Sequence, residues 1–321
     1  MAKLASDAPA VTLTKRPHFS GMSHVSLACH DLEEAKLFYA RVLGGELVHE
    51  IPGFAEYRIA DMIFGLSEQS GGWTGADDEY PHYALYIDGE NFTRMKDWLD
   101  GHHVPNHPYR RDRTALIYFR DPSGNLFELY CDGGYPGMES LALAPRRGGP
   151  AIDFRRLNYR WDRSHLAVAG EPPRFTGFAH ASLYCTDLDQ AKRFYTEVLG
   201  GELIHDVDGF AEVKVAGVII GLTVRPGSVT ARDAEYPHYA FFAEAEDFLP
   251  MVDWLRQNGV ITTEPWTRDG IKGLLYFRDP SDNLLEMYCR RIEAAAGFAR
   301  GAKQGGDYAI DFAALSYSWP G

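Results

Sequence analysis

Nowhere in the 321 residues is there an apolar run near the ~20 residues that a membrane-crossing helix needs, so no transmembrane helix is expected. Cysteine is scarce. Cys29, Cys131, Cys185 and Cys289 form no CxxC pair, and four in a chain this long make no disulfide framework. They read as small, reduced, buried side chains, with a cytoplasmic location as the expectation. Positive charge is short as well: 32 Lys and Arg face 45 Asp and Glu, a formal net charge of −13. A surface of that sign argues against non-specific nucleic-acid binding, which needs basic contacts to phosphate. Residues 1–19, MAKLASDAPAVTLTKRPHF, lack the apolar core of a secretory signal and read as a flexible leader.

What the chain does contain, it contains twice. GMSHVSLACHDLEEAKLFYARVLGGELVHEIPGFAEY from Gly21 returns as GFAHASLYCTDLDQAKRFYTEVLGGELIHDVDGFAEV from Gly177. EYPHYALY at Glu79 returns at Glu235, LIYFRDPSGNLFELYC ending at Cys131 returns ending at Cys289, and AIDF at Ala151 returns at Ala309. His24 to His180 is a step of 156 residues and Glu128 to Glu286 a step of 158, so a whole domain is duplicated rather than a short solenoid unit. The resulting division is a leader at 1–19, domains at 20–135 and 176–292, a linker with the repeated AIDF at 136–175, and a tail at 293–321.

Within each copy the pattern is strand, helix, then three strands, and then the same again. Residues 22–29 and 178–185 are strand-like. Asp31 with Glu34, and Asp187 with Gln190, are capping-box pairs that open helices. Leu32, Ala35, Phe38, Tyr39, Val42 and Leu43 supply one apolar face, and Gly44 and Gly200 stop the helices. PHYALYI reads as a strand, NFTRMKDWLDG as a helix ending at Gly101, and TALIYF and NLFELYC as strands.

Three chemically unusual strand positions recur: His24, His82 and Glu128, then His180, His238 and Glu286, at spacings of 58 and 46 in the first copy and 58 and 48 in the second. Strand alternation puts Ala84 and Tyr86 on the face of His82, and Leu126 and Tyr130 on the face of Glu128. A carboxylate on an otherwise apolar strand is costly unless it is paired or bound to a cation. A lone strand histidine is ordinarily a core residue and a lone strand glutamate faces solvent, but two complete sets at near-equal spacing favour a metal. The expectation is one coordination shell per half. Two histidines and one carboxylate leave open positions on Fe(II), Mn(II) or a similar ion, whereas a structural zinc site more often has four ligands including cysteine.

These residues resemble the vicinal oxygen chelate superfamily, which includes glyoxalases, bleomycin-resistance proteins, fosfomycin-resistance enzymes and extradiol ring-cleaving dioxygenases. The resemblance covers roughly 21–131 and 177–290. It implies an α+β fold of paired βαβββ modules, curled here into two open mixed-sheet barrels, with metal ligands at His24, His82 and Glu128 and again at His180, His238 and Glu286. YFRDPSGNLFE, from Tyr118 to Glu128, is similar to the Tyr-x-x-Asp-Pro-x-Gly part of the extradiol signature. By that likeness Tyr118 and Tyr276 would donate to metal-bound oxygen; the alternative is an aromatic filling the barrel mouth. Asp121-Pro122 and Asp279-Pro280 read as turns, with Asp282 standing where Gly124 does.

One departure matters. The extradiol pattern has a histidine several residues before its tyrosine, and here Arg111-Asp112 and Arg268-Asp269 occupy that stretch. His107 lies nearby without a counterpart, and the second histidine that the pattern has shortly before the middle ligand is absent from GGWTGADDEYP ahead of His82. His49 and His205 read as rim positions, and Glu56 and Glu212 as lining or solvent-facing. The leading expectation is a divalent-metal dioxygenase of extradiol type, Fe(II) favoured and Mn(II) the alternative, acting with O2 on a small aromatic diol or phenol. The second is a redox-neutral glyoxalase-like lyase, isomerase or thiol transferase, and the third a protein that sequesters a drug or metabolite. Neither nucleic acid nor membrane is an expected partner; homo-oligomers are common in the family.

Overall fold

The structure is a computed structural model that describes residues 16–69, 78–143, 152–162, 164, 166, 170–225, 233–301 and 308–321. Most of the expected leader, and Ala151 of the first AIDF, lie outside the described residues. The first module runs β1 (Phe19–Cys29), α1 (Leu32–Arg41), β2 (Glu46–Ile51), β3 (Phe54–Ile59) and β4 (Met62–Glu68). The second runs β5 (His82–Tyr86), α2 (Gly89–Gly101), β6 (Asn106–Arg111), β7 (Thr114–Arg120) and β8 (Leu126–Cys131). The third is β9 (Gly177–Cys185), α3 (Leu188–Arg193), β10 (Glu202–Val207), β11 (Phe210–Val215) and β12 (Val218–Val224). The fourth is β13 (His238–Ala243), α4 (Ala245–Gln257), β14 (Trp266–Thr267), β15 (Gly273–Arg278) and β16 (Leu284–Cys289), with β17 (Ala299–Arg300) added at its edge.

Local chemistry sets these elements as the sequence predicts. The Asp31 and Asp187 carboxylates accept from the backbone N–H of Glu34 and Gln190, closing the first turns of α1 and α3. Gly44 and Gly200 end the two helical segments at φ 67° and 84°, a conformation that costs a side-chain-bearing residue. The copies differ at one point: α3 gives way after Arg193 to a π-helical turn, Phe194–Val198.

The assembly of modules departs from the sequence expectation. Among the described residues one sheet has the order β17-β14-β15-β16-β13-β1-β4-β3-β2 and the other β10-β11-β12-β9-β5-β8-β7-β6. Each sheet therefore joins the first module of one half to the second module of the other. The seams are antiparallel, β1 on β13 with His24 opposite Ala240, and β5 on β9 with Ala84 opposite His180. The duplicated modules and the two mixed sheets are as expected; a barrel contained within each half is not. β5 and β13 carry nearly the same residues, HYALY and HYAFFA, so either could complete β1, and the chain uses the distant one.

One continuous apolar core fills the space under the helices and takes residues from both sheets, including Phe38, Phe64, Phe127 and Leu129 with Phe194, Phe241 and Leu285. Tyr83 and Tyr239, on the two seam strands, approach within 6.4 Å between ring centroids. The two sheets are also tied together within each half by the Asp-Pro turns. Asp121 accepts from the backbone of Ser123 and Asn125, from the Asn125 amide and from the Tyr39 hydroxyl of α1, and Asn125 donates on to the Ala28 carbonyl of β1. Asp279, Asn283, Tyr195 and Tyr184 repeat the device. Asp282 takes the left-handed conformation at φ 69° where Gly124 has 90°.

Described residues of the segments read as linker and tail dock on the helices. Trp161 sits edge-on to Phe38 and Trp319 to Phe194, at 5.4 and 5.6 Å. The Tyr159 and Tyr317 hydroxyls donate to the carbonyls of Arg120 and Arg278. Among the described residues, no helix is long and apolar enough to cross a membrane.

Candidate metal centres

The register of the sheets brings the six expected ligands together in two sets, and in a partition that chain order does not suggest. On the concave face of the first sheet, His24 on β1 lies opposite Ala240 on β13, Ala240 opposite Glu286 on β16, and Glu286 opposite Tyr276 on β15. The other sheet repeats the row as His180, Ala84, Glu128 and Tyr118. His238 and His82 stand two residues before the alanines and so share their face. A methyl group at the centre of each row leaves room for the flanking imidazole and carboxylate to lean together.

The two sets are therefore His24, His238 and Glu286, and His82, His180 and Glu128, each with one donor atom per residue within 4.8 Å of the others. The expected trios, His24 with His82 and Glu128, and His180 with His238 and Glu286, are corrected accordingly: each first-module histidine joins the other half's pair. His238 Nε2 is 3.0 Å and His24 Nε2 3.5 Å from Glu286 Oε2. In the second set His180 Nε2 is 3.1 Å and His82 Nε2 3.5 Å from Glu128 Oε2, and the two Nε2 atoms are 3.3 Å apart.

These donors fit a cation better than they fit one another. Metal–ligand bonds of about 2.1 Å put adjacent octahedral positions roughly 3 Å apart, close to these separations. His238 Nε2, both Glu286 carboxylate oxygens and the Tyr276 hydroxyl are buried without an aligned hydrogen-bond partner among the described residues. In the first set nitrogen and oxygen thus approach one another with no aligned N–H···O bond between them. The far ring nitrogens are occupied: His82 Nδ1 and His238 Nδ1 lie 3.0 and 2.9 Å from the carbonyls of Glu79 and Glu235, which leaves Nε2 as the lone-pair donor. His24 Nδ1 meets the Ser23 hydroxyl at 3.0 Å, at a position that is Ala179 in the other copy.

The electrostatics agree. Burial by itself pushes the Glu128 and Glu286 carboxyls up, but the two imidazoles beside each more than offset it and hold both acids well below the usual carboxylate range. Each set is an anionic carboxylate with two nitrogen donors in a dry wall.

Tyr118 and Tyr276 lie directly beside the ligand carboxylates, their rings 5.4 and 5.3 Å from those of His82 and His238. Burial, reinforced by the neighbouring glutamate, raises both phenols well above their ordinary range, so both are protonated donors. Tyr118 donates to Glu79 Oε1 at 3.2 Å, while the Tyr276 hydroxyl is one of the unpartnered atoms. Sequence reasoning missed Tyr109, whose hydroxyl donates to Glu128 Oε1 at 3.2 Å and which stacks on Tyr118. Its counterpart is Trp266, stacked on Tyr276, whose indole N–H makes no such bond. It also missed the second role of Glu79, whose EYPHY repeat was the available signal.

The arginines that replace the expected histidine face the sites. Burial works against the charge on Arg268 and the Glu286 carboxylate more than offsets it, while Arg111 is exposed with Tyr109 and Glu128 as its neighbours. His107 is half-buried on β6 and belongs to neither set. A cavity of about 1050 Å³ reaches the first set at His24 and is lined also by His49, Glu56, Arg268 and Tyr288 among others, so His49 and Glu56 are lining positions. All four cysteines are free and buried.

The chain matches the family model described as Glyoxalase/Bleomycin resistance protein/Dioxygenase superfamily over residues 21–129 and 177–287. Metapyrocatechase from Pseudomonas sp. (strain CF600) is 28% identical over 54% of this chain and 53% of its own length, so the chain spans about half of that relative. Glutathione transferase FosA from Serratia marcescens is 28% identical over 38% of this chain and 86% of its own. In fold, a protein from Bacillus subtilis subsp. subtilis str. 168 superimposes with a TM-score of 0.63 at 19% identity, covering 87% of this chain and 88% of that one. The matched segments take in all four βαβββ modules and hold well over half the residues, and the chain belongs to the Glyoxalase/Bleomycin resistance protein/Dioxygenase superfamily.

Proposed function

We propose that the protein is a metal-dependent enzyme, an Fe(II) dioxygenase of extradiol type that opens a small aromatic diol or related phenol with O2. The observation that carries this reading is the pair of buried two-histidine, one-carboxylate sets, each within 4.8 Å and each beside a barrel-facing tyrosine. Such a set holds three positions on a divalent ion and leaves the rest for substrate oxygens and O2. When bound, the metal would supply Lewis acidity toward adjacent phenolic oxygens and a route for electrons to oxygen.

The chain's own residues do the rest. His24, His238 and Glu286 fix three donors and bring one negative charge, and the carbonyl of Glu235 holds the His238 tautomer. Tyr276 keeps its proton and offers it as a hydrogen bond where oxygen charge develops. Arg268 adds a fixed positive charge beside the same site. Metapyrocatechase, by its name a catechol-acting relative, supports the substrate class. The test is oxygen uptake by the Fe(II)-loaded protein over a panel of catechols and hydroquinones; no uptake with any of them would overturn the reading.

A specific observation favours a second reading. Arginines stand where an extradiol pattern has its acid–base histidine, and an arginine does not exchange protons near neutral pH. A redox-neutral lyase, isomerase or thiol transferase fits that lack, and the likeness to FosA is in keeping with it. Turnover of a ketoaldehyde–thiol adduct or an epoxide under strict anaerobiosis with Ni, Co, Mn or Zn would decide for it.

A further inference from the structure

The two metal centres are near-copies, but their mouths carry different charge. The cavity that reaches the first set at His24 is lined by Arg58, Arg268, Lys272 and Arg290 against Glu56, Asp61 and Asp269. Asp269 pairs with Lys272 at 2.7 Å inside the cavity, and Asp61 accepts from the Phe178 backbone N–H at 2.7 Å while keeping its charge. With the Asp269–Lys272 pair set aside, Glu56 and Asp61 stand against Arg58, Arg268 and Arg290, and the positive charge is in excess. Arg268 lies over Trp266 and Arg290 over Phe242, ring contacts that hold the guanidiniums in place while leaving their N–H edges for a ligand.

The pseudo-symmetric mouth over His82, His180 and Glu128 keeps Lys214 and Arg111 as counterparts of Arg58 and Arg268, and Glu212 and Asp112 as counterparts of Glu56 and Asp269. It does not keep the other two cations. Thr114 stands at the position of Lys272 and Asp132 at that of Arg290, a difference of three charges that Gly217 in place of Asp61 reduces to two. The consequence reaches the mouth tyrosines. Tyr288 has Lys272 and Arg268 beside it as well as Glu286 and Glu56, whereas Tyr130 has the acids Glu128, Asp132 and Glu212 and Tyr86 has Asp132 and Glu212. In a chain of net charge −13, this gathering of cations over one of two otherwise matched sites runs against the surface as a whole.

Resting on the metal-enzyme reading, we infer that the His24/His238/Glu286 pocket selects a small aromatic that carries an anionic group, a carboxylate or a phosphate, and that the sister site does not. The ring oxygens turn toward the histidines and Glu286, and the anion lies between Arg268, Lys272 and Arg290. A cavity of about 1050 Å³ has room for a single substituted ring and its anionic arm.

Calorimetric titration of the purified full chain, metal-free and metal-loaded, with catechol, 3,4-dihydroxybenzoate and phenyl phosphate tests this. The expected result is that at least one of the two anions binds at least tenfold more tightly than catechol, at one equivalent per chain, with an affinity that falls as salt is raised. The tighter of the two names the group. In K272T/R290D, which copies the sister mouth, that advantage should shrink to within twofold while catechol affinity changes less than threefold. The reverse exchange, T114K/D132R, should raise the anion stoichiometry from one to two, and it stands as the test if the first variant fails to fold. No advantage of either anion over catechol in the wild type, or an advantage untouched by the exchanges, overturns the inference. Because the metal-free protein is titrated as well, failure of the oxygenase reading leaves the anion preference in place, and failure of the anion inference leaves oxygen uptake in place.

Discussion

Ala84 and Ala240 are the residues on which the two sites turn, though neither has any chemistry to offer. Each sits fully buried between a histidine on one neighbouring strand and a glutamate on the other. A larger side chain there would fill the volume in which the donors meet. Ala240→Leu is expected to cost about 1–3 kcal/mol through overpacking and to remove one of two bound ions, leaving the His82/His180/Glu128 site filled. Metal analysis after dialysis, with thermal unfolding in parallel, checks both halves of that statement. The same measurement tests the partition of ligands. H24A and E286Q should each remove one ion, and the double variant H24A/E286Q should still keep the other. H24A/E128Q should keep none. Shells confined to single halves would give the opposite pattern for the two double variants. Stripping the metal from the wild type should lower the unfolding temperature, since an ion that binds only the folded chain at 1,000 times its Kd contributes about 4 kcal/mol.

At the scale of elements, the Asp-Pro turns before β8 and β16 are structural joints. The Asp121 carboxylate accepts four hydrogen bonds and links the β7–β8 turn to α1, so one carboxylate joins elements that belong to different sheets. Asp121→Ala leaves the Tyr39 hydroxyl and the Asn125 amide without that acceptor in a buried site, and a loss of roughly 3 kcal/mol in chemical denaturation is expected, with metal content unchanged in the folded fraction. The turn was legible from the residues, though not its bonds to α1 and β1, as were the capped helices, the glycine stops and the inward faces of β5 and β8. All of these rest on local rules: a dihedral, a cap, a period of two. The six candidate ligands were legible too, because repetition singled them out. Their partition was not. β5 and β13 share the run His-Tyr-Ala and the same position before a helix, so strand chemistry alone does not say which of them completes β1. The docking of Trp161 and Trp319 on the helices of the first and third modules was missed for a related reason, since both contacts are long in sequence and carry no periodic signal.

For the molecule as a whole, the seams decide what a half can do alone. A chain ending near residue 162 would keep β1 and β5 but lose β13 and β9, leaving two bare antiparallel edges of matching pattern. Two copies satisfy each other if β1 of one takes β5 of its partner, an isologous pairing that recreates both seams with His24 opposite Ala84. The isolated first half is therefore expected to sediment as a dimer with one ion per half-chain. Complementation makes the expectation sharper. A half carrying H24A and a half carrying E128Q should each form dimers that bind no metal, because every site in either dimer lacks one ligand. In the mixed dimer, His24 from the E128Q copy meets His82 and Glu128 from the H24A copy. One site is whole and its pseudo-symmetric mate lacks two ligands. An equimolar mixture unfolded and refolded together should then contain mixed dimers as half of its population and bind one ion for every four half-chains, read by metal analysis on the sedimenting dimer. Ligands drawn from a single half could not complement in this way, and a mixture as empty as its components would return the sites to the separate halves.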